Sequence, residues 1–488
     1  MKKKISSLWS PNEELKKKSK LESFCRSLKE KQILKYKKDF KSLWKWSVNN
    51  PEIFWSEVWD FTKIKGIKGR NFYKKNKIFY KSVFFPNAKL NYAENLLSKN
   101  NDEIAIKFLS ENGLEKSISW KKLNNHVNKF SYFFKKIKLK KEDRVAAYAP
   151  NTIETIVSFL AASKNGLIWS SCSPDFGPQA VIDRFFQIKP KILITCEYYY
   201  YNGKKNYILD KIPEILKKIN SIKKVIVFPY FNKFDKKINS KYLNFYKIIK
   251  NSKSDKSFEK FKFNHPLYIL FSSGTTGVPK CITHGAGNVL LEHNKEFSLH
   301  CNISNNDKVF YYTTTGWMMW NWLIGALSCG ATIYLYDGSP TYPYKHSLIK
   351  FCSQKEINFF GVSAKYIDFL KKENLKFHHL NLSNLKIIAS TGSPLVKESF
   401  EYVYNNIKKN VQLSSISGGT DIVGCLVLGN IFSKVYSGEI QGESLGIDVD
   451  IFDIKGKKIT NEKKGELVVK KPFPTMPIKF WNDNGDKK

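Results

Sequence analysis

LYILFSSGTTGVPK, residues 267–280, is the most informative segment of the sequence. Its apolar beginning predicts a buried strand, and a loop rich in hydroxyl groups and glycine follows directly. Glycine lets a backbone approach a polyanion closely, and hydroxyl groups and successive amides donate hydrogen bonds to it. Lys280 adds a positive charge. The segment predicts a triphosphate-binding loop rather than a surface turn, although it lacks the Gly-Lys-Ser/Thr ending of the Walker loop.

Apolar strands alternate with helices along most of the chain, which predicts parallel sheets covered on both faces. Helices are predicted at residues 288–299 and 364–372. Strands are predicted at residues 145–149, 167–171, 191–195, 224–228, 309–312, 332–336, 358–360, 385–389 and 411–415. Open α/β sheets bind ligands in the loops after strand carboxyl ends, and the triphosphate-binding loop follows such a strand.

Two further motifs follow predicted strands. Gly418 and Gly419 open space beside Thr420, whose hydroxyl can meet a phosphate, and Asp421, whose carboxylate can hold Mg²⁺ between phosphates. Residues 392–394, Gly-Ser-Pro, form a rigid turn that can contact the edge of a heterocycle, although such turns are common. Together the three motifs predict a nucleotide site.

The composition is strongly basic, with 82 Lys and Arg against 43 Asp and Glu and a net charge of +39. Such a charge can indicate a nucleic-acid or membrane partner. However, the only arginines are Arg26, Arg70, Arg144 and Arg184, and bidentate recognition of phosphates and bases favours arginine. We therefore predict a solvated lysine surface and no specific nucleic-acid partner.

The eight cysteines form no CxxC pair, which argues against a zinc site and fits a reducing compartment. The first residues lack the apolar core of a signal peptide. The longest apolar run, residues 317–336, contains Asn321, Gly325 and Gly330, and indicates a helix, a turn and a strand rather than a membrane span. These features predict a cytoplasmic protein.

A set of longer motifs occurs in one order along the chain: LWSP (8–11), LNYAENLL (90–97), WSSCSPDFG (169–177), TTTGWMMWN (313–321), LYDGSP (335–340) and SSISGGTDI (414–422). Over essentially its whole length, the chain resembles the acetoacetyl-CoA synthetases. These belong to the adenylate-forming superfamily, together with other acyl-CoA synthetases, luciferases and peptide-synthetase adenylation domains. The chain is more distantly similar to acetyl-CoA synthetase.

The resemblance implies an α/β fold, the large N-terminal domain of the adenylate-forming fold. This has two stacked α/β subdomains with mainly parallel sheets and a small β-subdomain. We expect a helical lead-in at residues 1–85 packed on the body, AMP-binding α/β subdomains at residues 86–430, and a β-rich subdomain at residues 431–488. The lead-in mixes aromatic residues with lysines, which fits amphipathic helices better than a surface for single-stranded nucleic acid.

The resemblance also implies ATP, Mg²⁺ and coenzyme A as ligands. Catalytic roles are implied for Thr276, Lys280, Thr420 and Asp421, and Asp421 would also bind Mg²⁺. The implied ATP- and AMP-binding residues are Ser272, Ser273, Gly274, Thr275, Thr276, Gly277, Lys280, Gly392, Ser393, Pro394, Ser415, Ile416, Ser417, Gly418, Gly419 and Thr420.

The implied acyl pocket consists of Trp317, Met318, Met319, Trp320, Asn321 and Gly418. Acetyl-CoA synthetases carry a bulky tryptophan at the position of Gly418, so its loss is expected to leave room for a longer acid. An extra carbon or two shifts preference by only ~1–3 kcal/mol. Met319 and Lys204 are the implied coenzyme A contacts, and Lys204 lies where acetyl-CoA synthetases have an arginine.

The implied function is an acetoacetate–CoA ligase that forms an acyl-adenylate from a short 3-oxo acid and ATP, and then a thioester with coenzyme A. The alternatives are a ligase for another short acid such as butyrate, a non-catalytic nucleotide-binding remnant, and a basic nucleic-acid-binding protein. Since the carboxylate is itself the nucleophile, no catalytic triad is needed. His284 and His293 are therefore expected to pack or cap rather than to catalyse.

The sequence departs from the family at its end, because it stops before the ribose-binding Asp motif, the hinge and the C-terminal domain that carries the adenylation lysine. We expect a truncated chain with weak adenylation on its own, since such a lid excludes water and completes the site. A separate C-terminal fragment acting in trans is a candidate partner.

Overall fold

The computed structural model describes residues 6–34, 39–272, 277–459 and 463–483. Its α-helices are α1 (Glu13–Lys17), α2 (Lys20–Glu30), α3 (Phe40–Asn49), α4 (Pro51–Phe61), α5 (Tyr92–Leu96), α6 (Trp120–Lys136), α7 (Ile153–Lys164), α8 (Pro178–Ile188), α9 (Ile212–Lys218), α10 (Phe245–Asn251), α11 (Ala286–Lys295), α12 (Met318–Gly325), α13 (Ser347–Gln354), α14 (Ala364–Lys372) and α15 (Lys397–Tyr402). Within these ranges, every helix is too short or too polar to span a bilayer.

The strands are β1 (Gly66–Ile67), β2 (Tyr73–Lys74), β3 (Val83–Phe84), β4 (Lys89–Leu90), β5 (Ile104–Ser110), β6 (Glu115–Ser119), β7 (Arg144–Tyr148), β8 (Ile168–Cys172), β9 (Ile192–Cys196), β10 (Tyr198–Tyr201), β11 (Lys204–Tyr207), β12 (Lys224–Phe228), β13 (Leu243–Asn244), β14 (Phe261–Lys262), β15 (Pro266–Ser272), β16 (Lys280–Gly285), β17 (Lys308–Tyr311), β18 (Thr332–Asp337), β19 (Phe359–Ser363), β20 (Ile387–Thr391), β21 (Gln412–Ser415), β22 (Ser417–Gly419), β23 (Gly424–Leu428), β24 (Gly442–Glu443), β25 (Val449–Phe452), β26 (Glu466–Val469) and β27 (Lys479–Phe480).

Two large sheets form the body of the molecule. The eight-stranded sheet has the order β13-β12-β9-β7-β8-β15-β16-β27, and only its last two pairs are antiparallel. The seven-stranded sheet has the order β21-β20-β19-β17-β18-β5-β6, and only the β5–β6 pair is antiparallel. All nine predicted strands overlap strands of these sheets, so the predicted α/β fold with mainly parallel sheets is confirmed.

Helix α7 lies between the two sheets and explains why they stack. All twelve of its residues are buried, and it contacts both β8 of the eight-stranded sheet and β5 of the seven-stranded sheet. A helix that is buried all round belongs to an interior layer rather than to a surface. Strands β8 and β9 are likewise buried at every residue, as expected for parallel strands covered on both faces.

Helices α1 to α4 form the N-terminal part of the structure and pack on this body. Helix α4 contacts α11, and the indole Nε1 of Trp44 donates a hydrogen bond to the Ile447 carbonyl at 3.0 Å. Trp59 stacks on Phe85 with ring centroids 5.2 Å apart. The rings of Phe54 and Trp55 are also buried. The aromatic residues of this region therefore serve packing, as amphipathic helices require.

After residue 431, short antiparallel strands predominate. The β25–β26 hairpin pairs across four residue positions, and a small core of Ile447, Val449, Phe473 and Met476 lies beneath it. However, β27 pairs with β16 and so extends the eight-stranded sheet. The divisions at residues 85 and 430 stay predictions.

Helix α11 carries a buried charged cluster. A π-helical turn, Glu296–His300, extends it, and together they cover the helix predicted at residues 288–299. The Lys295 ammonium lies 2.7 Å from Glu292 Oε1, 3.9 Å from Glu296 Oε1 and 2.5 Å from Ser444 Oγ. The side chains of Lys295, Glu292 and Glu296 are fully buried. Burial is the main cause that raises the pKa of Glu292. The cluster joins α11 to the segment that follows β24.

We predict that Lys295→Met lowers the free energy of unfolding by about 3–5 kcal/mol, because it leaves buried carboxylates without their cation. Urea unfolding would measure this, and adding Glu292→Gln should restore part of the loss. The control is Lys18→Met, which removes the exposed Lys18–Glu14 pair and should leave the midpoint unchanged. Equal midpoints for Lys295→Met and the unmodified protein would contradict the prediction.

Candidate functional site

The main cavity lies where the carboxyl ends of β8, β15, β17, β20 and β21 meet. It has a volume of about 510 Å³. Its lining consists of Phe176, Arg184, Phe271, Ser272, Gly316, Trp317, Met318, Met319, Thr391, Gly392, Ile416, Gly418, Gly419, Thr420, Asp421, Gly424 and Cys425. Ligands of open α/β sheets bind at this edge, so the position of the cavity is the one that the strand topology predicts.

Two smaller cavities continue from the main one. A second cavity of about 380 Å³ shares Trp317, Met319, Thr391 and Gly392 with the main cavity. A third, of about 260 Å³, shares residues 312–314 with the second and reaches the tyrosines of the β10 strand. The three cavities therefore lie side by side, from the main cavity towards the β10–β11 hairpin.

The predicted triphosphate-binding loop connects β15 to β16. Ser272 ends β15, lines the main cavity and lies opposite Lys280, the exposed first residue of β16. Gly277 is exposed and adopts φ = +114°, a backbone conformation that residues other than glycine rarely adopt. The predicted phosphate ligands Ser273, Gly274, Thr275 and Thr276 lie outside the described residues.

The predicted adenine-binding segments follow β20 and β21. The Thr391 hydroxyl donates to the Ile416 carbonyl at 3.0 Å, which ties the two segments together. Gly392 adopts φ = +90° and lines both the main and the second cavity, and Ser393 lines the second. The cavity linings do not include the other three predicted residues of these segments, Pro394, Ser415 and Ser417.

Of the residues predicted for the acyl pocket, Trp317, Met318 and Met319 line the main cavity. Trp320 and Asn321 are buried outside its lining. The Trp320 indole donates to Asn151 Oδ1 at 2.9 Å and stacks on Trp169. Helix α12 begins at Met318, so its first residues face the cavity and the following ones turn towards the core. Sequence adjacency alone could not separate these two groups.

Gly418 also lines the main cavity. The sequence predicts open space beside it, where acetyl-CoA synthetases carry a tryptophan, but the structure shows close backbone packing there. Gly418 pairs with Cys425 in the β22–β23 ladder, and a Cβ atom added to it would lie 2.1 Å from the Gly424 carbonyl oxygen. A tryptophan therefore cannot occupy this position without a backbone shift. The close approach of two strands, rather than an empty space for an indole, requires glycine here.

Lys204 begins β11, in the hairpin whose β10 tyrosines line the third cavity. It is exposed, and its side chain does not line the third cavity. The preceding turn is fixed because the amides of Asn202 and Gly203 donate to the Glu111 carboxylate at 2.9 and 2.7 Å. Tyr201, the residue before this turn, lines the third cavity.

A buried polar scaffold holds the turn that carries Asp421. His284 Nε2 lies 2.9 Å from the Thr420 carbonyl oxygen, and His293 Nε2 lies 2.8 Å from that of Val423. Burial lowers the pKa of His284 to about 3, and it also lowers the pKa of His293. Both rings are therefore neutral near pH 7, and each donates its Nε2 proton to the carbonyl.

The same turn is fixed at its other end by Glu296. The Cys425 amide donates to Glu296 Oε1 and the Trp322 indole to Glu296 Oε2, both at 2.6 Å. Val423, which lies between Asp421 and Cys425 in this turn, adopts φ = +48°. This conformation is unfavourable for a β-branched residue and persists only where the surroundings impose it. Asp421 itself is exposed and forms no ion pair or hydrogen bond with the described residues.

His284 and His293 are predicted to pack or cap, and they do so beneath the turn. Sequence reasoning missed other residues of the site. Glu296, Phe176 and Arg184 were not selected, although Phe176 belongs to the SPDFG motif and Arg184 is one of only four arginines. The scarcity of arginine was the signal that could have identified Arg184.

We predict that Gly418→Ala lowers the free energy of unfolding by about 1–3 kcal/mol, because its Cβ atom would force β22 and β23 apart. Urea unfolding midpoints would measure the loss. Gly419→Ala is the matched control, since a Cβ there meets no atom within 4 Å, and it should leave the midpoint unchanged. Equal midpoints for the two variants would show that the contact does not restrict residue 418.

Comparisons with known proteins agree with this geometry. Residues 94–477 match the family described as AMP-binding enzyme. The acetoacetyl-coenzyme A synthetase of Rhizobium meliloti (strain 1021) is 42% identical over 98% of this chain and 73% of the relative, and that of Gallus gallus is 42% identical over 92% and 69%. The structure of acetoacetyl-CoA synthetase from Streptomyces lividans matches with a TM-score of 0.92 and 32% identity, over 98% of this chain and 74% of that one. The chain therefore belongs to the acetoacetyl-CoA synthetase family of AMP-binding enzymes and has the adenylate-forming fold.

Proposed function

We propose that the chain is an ATP-dependent acid–thiol ligase that forms acetoacetyl-CoA from acetoacetate, ATP and coenzyme A, with release of AMP and pyrophosphate. The composition of the main cavity supports this proposal. The cavity is lined by the Thr420–Asp421 turn, the Gly392 turn, the end of β15 and the apolar residues Trp317 to Met319. A nucleotide and a short acyl group need this combination of polar turns and an apolar wall.

In the first step, a carboxylate oxygen of the acid attacks the α-phosphorus of ATP. A bond forms between that oxygen and phosphorus, the bond from phosphorus to the bridging oxygen breaks, and pyrophosphate leaves. Lys280 and the loop before it would neutralise the phosphate charge, while Ile416 to Thr420 would position the α-phosphate and the adenine. Catalysis by this chain is then mainly positioning and charge stabilisation.

Mg²⁺ supplies further charge neutralisation between phosphates when it is bound. Asp421 fits this role because its carboxylate is exposed at the cavity and makes no ion pair with the described residues. Within the same described ranges, no group of three His, Cys, Asp or Glu residues could hold a metal alone. A magnesium ion held jointly by one carboxylate and by phosphates agrees with this donor set.

In the second step, the thiol sulfur of coenzyme A attacks the acyl carbonyl carbon, the carbon–oxygen bond to AMP breaks, and the thiol proton is lost to solvent. The second and third cavities provide a route for the thiol arm, from the β10–β11 hairpin to Met319. Lys204 lies on that hairpin, where it could attract a phosphate of coenzyme A.

We also propose a cytoplasmic location, supported by eight cysteines that are scattered along the sequence without a CxxC pair. The curated relatives named above are longer than this chain, which spans 73% and 69% of their lengths. A C-terminal domain that supplies the adenylation lysine, in the same chain or as a separate fragment, is part of the proposed mechanism.

The decisive experiment is acid-dependent ATP–pyrophosphate exchange with acetoacetate, acetate and butyrate. It should use this chain alone, this chain with a homologous C-terminal domain fused to it, and the same domain added separately. We expect the fused protein to prefer acetoacetate and the chain alone to be weak. A preference for butyrate would identify a different short-acid ligase, and ATP binding without exchange in any form would indicate a nucleotide-binding remnant.

We predict that His284→Leu lowers the exchange rate about tenfold to a hundredfold, because the Thr420 carbonyl loses its buried donor and the turn carrying Asp421 loosens. His300→Leu is the matched control. His300 is equally buried and contacts the Gly429 carbonyl, which lies outside the cavity linings. It should lower the unfolding midpoint with a smaller effect on rate. If His284→Leu and His300→Leu have equal unfolding midpoints and lose equal exchange rate, His284 contributes only through packing.

A further inference from the structure

Arg184 places a cation in the wall of the main cavity. It lies on α8, whose apolar face is buried against the eight-stranded sheet, and its own side chain is half-buried. The guanidinium carbon lies 4.8 Å from the Phe176 ring centroid and 5.8 Å from that of Phe271. Both rings line the main cavity, as Arg184 does. The guanidinium is therefore located between two walls of the site.

This guanidinium has N–H donors that make no hydrogen bond with the described residues. Its Nη1 donates to the Ala180 carbonyl at 2.7 Å, and Nε and Nη2 make no hydrogen bond with any described residue. No carboxylate in the described ranges forms an ion pair with it, although arginine carries five N–H donors. A cation in this position favours an acceptor oxygen on a ligand, because a bound ligand displaces cavity water and no described residue supplies an acceptor to Nε or Nη2.

The neighbouring lining restricts what that acceptor can be. Trp317, Met318 and Met319 provide an apolar wall, and the Thr391 hydroxyl is already committed to the Ile416 carbonyl. Asp421 carries the opposite charge and is the residue suited to a metal rather than to an acyl oxygen. Arg184 is the only lysine, arginine or histidine in the lining of the main cavity as the structure describes it.

We propose that Arg184 donates a hydrogen bond to the 3-oxo oxygen of the acyl chain and thereby selects a 3-oxo acid over the saturated acid of the same length. The inference rests on the proposed ligase function and adds a specificity-determining residue to it. A butyryl chain in the same place would leave the guanidinium without an acceptor. Discrimination would then come from polar pairing rather than from chain length alone.

A contact with ATP phosphates is the competing interpretation. Helix α8 runs beside the triphosphate-binding loop, since Gln187 Nε2 donates to the Pro279 carbonyl at 3.1 Å. The test therefore uses acyl-sulfamoyl-adenosine analogues of the intermediate, which carry no β- or γ-phosphate. The acetoacetyl and butyryl analogues share the adenosine and the sulfamoyl group, so they differ only in the acyl chain.

Binding of both analogues to the full chain would be measured by calorimetry for the unmodified protein, Arg184→Met and Arg184→Lys. We expect Arg184→Met to weaken the acetoacetyl analogue about 10- to 100-fold and to leave the butyryl analogue unchanged, because a hydrogen bond to a charged donor is lost. Arg184→Lys should recover part of the loss. Arg70→Met is the control, since Arg70 is exposed, and it should change neither affinity.

Other results would overturn the proposal in distinguishable ways. Equal weakening of both analogues, or no weakening of either, would exclude selection of the 3-oxo group by Arg184. Weaker ATP binding with unchanged analogue binding would assign Arg184 to the phosphates. If the unmodified chain binds neither analogue, the ligase function fails first, and the inference about Arg184 fails with it. Unfolding midpoints would show whether Arg184→Met is folded.

Discussion

The pairing of β15 with its two neighbours determines the arrangement of the whole site. Because β15 runs parallel to β8, it ends at the same edge as the SPDFG segment, and the predicted triphosphate-binding loop begins there. Strand β16 then returns antiparallel to β15 and carries His284 beneath Thr420. The chain continues into α11 and the π-helical turn that extends it, which supply His293 and Glu296 to the same turn. One hairpin thus positions both the loop and the support for the opposite wall.

The support beneath the turn that carries Asp421 also connects distant parts of the chain. Glu296 receives hydrogen bonds from the Cys425 amide and from the Trp322 indole on α12, whose first residues line the main cavity. Its neighbour Lys295 bonds Ser444. Since all these groups are buried, each one lacks water as an alternative partner, and displacement of one disturbs the others. The apolar wall and the polar turn of the cavity are therefore linked through Glu296, in the π-helical turn that extends α11.

The fold and the main motifs could be predicted from the sequence because their signals are local. Apolar strands and glycine-rich turns are read within a few neighbouring residues, and family resemblance placed them in one fold. The contact of His284 with Thr420 joins residues 136 positions apart, which no local pattern encodes. The crowding at Gly418 depends on an irregular register between β22 and β23, and the burial of Trp320 depends on where α12 begins. These features arise only once the chain has packed.

The contact between Gly418 and the Gly424 carbonyl has a consequence for the evolution of substrate range. Two backbones, rather than a replaceable side chain, form the wall of the main cavity at this position. A single substitution at residue 418 therefore does not offer a gradual route towards smaller acids. Changes in acid preference would have to accumulate at side chains of the opposite walls, such as Met318, Met319 and Thr391, where size can vary without moving a strand. Main-chain geometry therefore limits the side-chain size that residue 418 can carry.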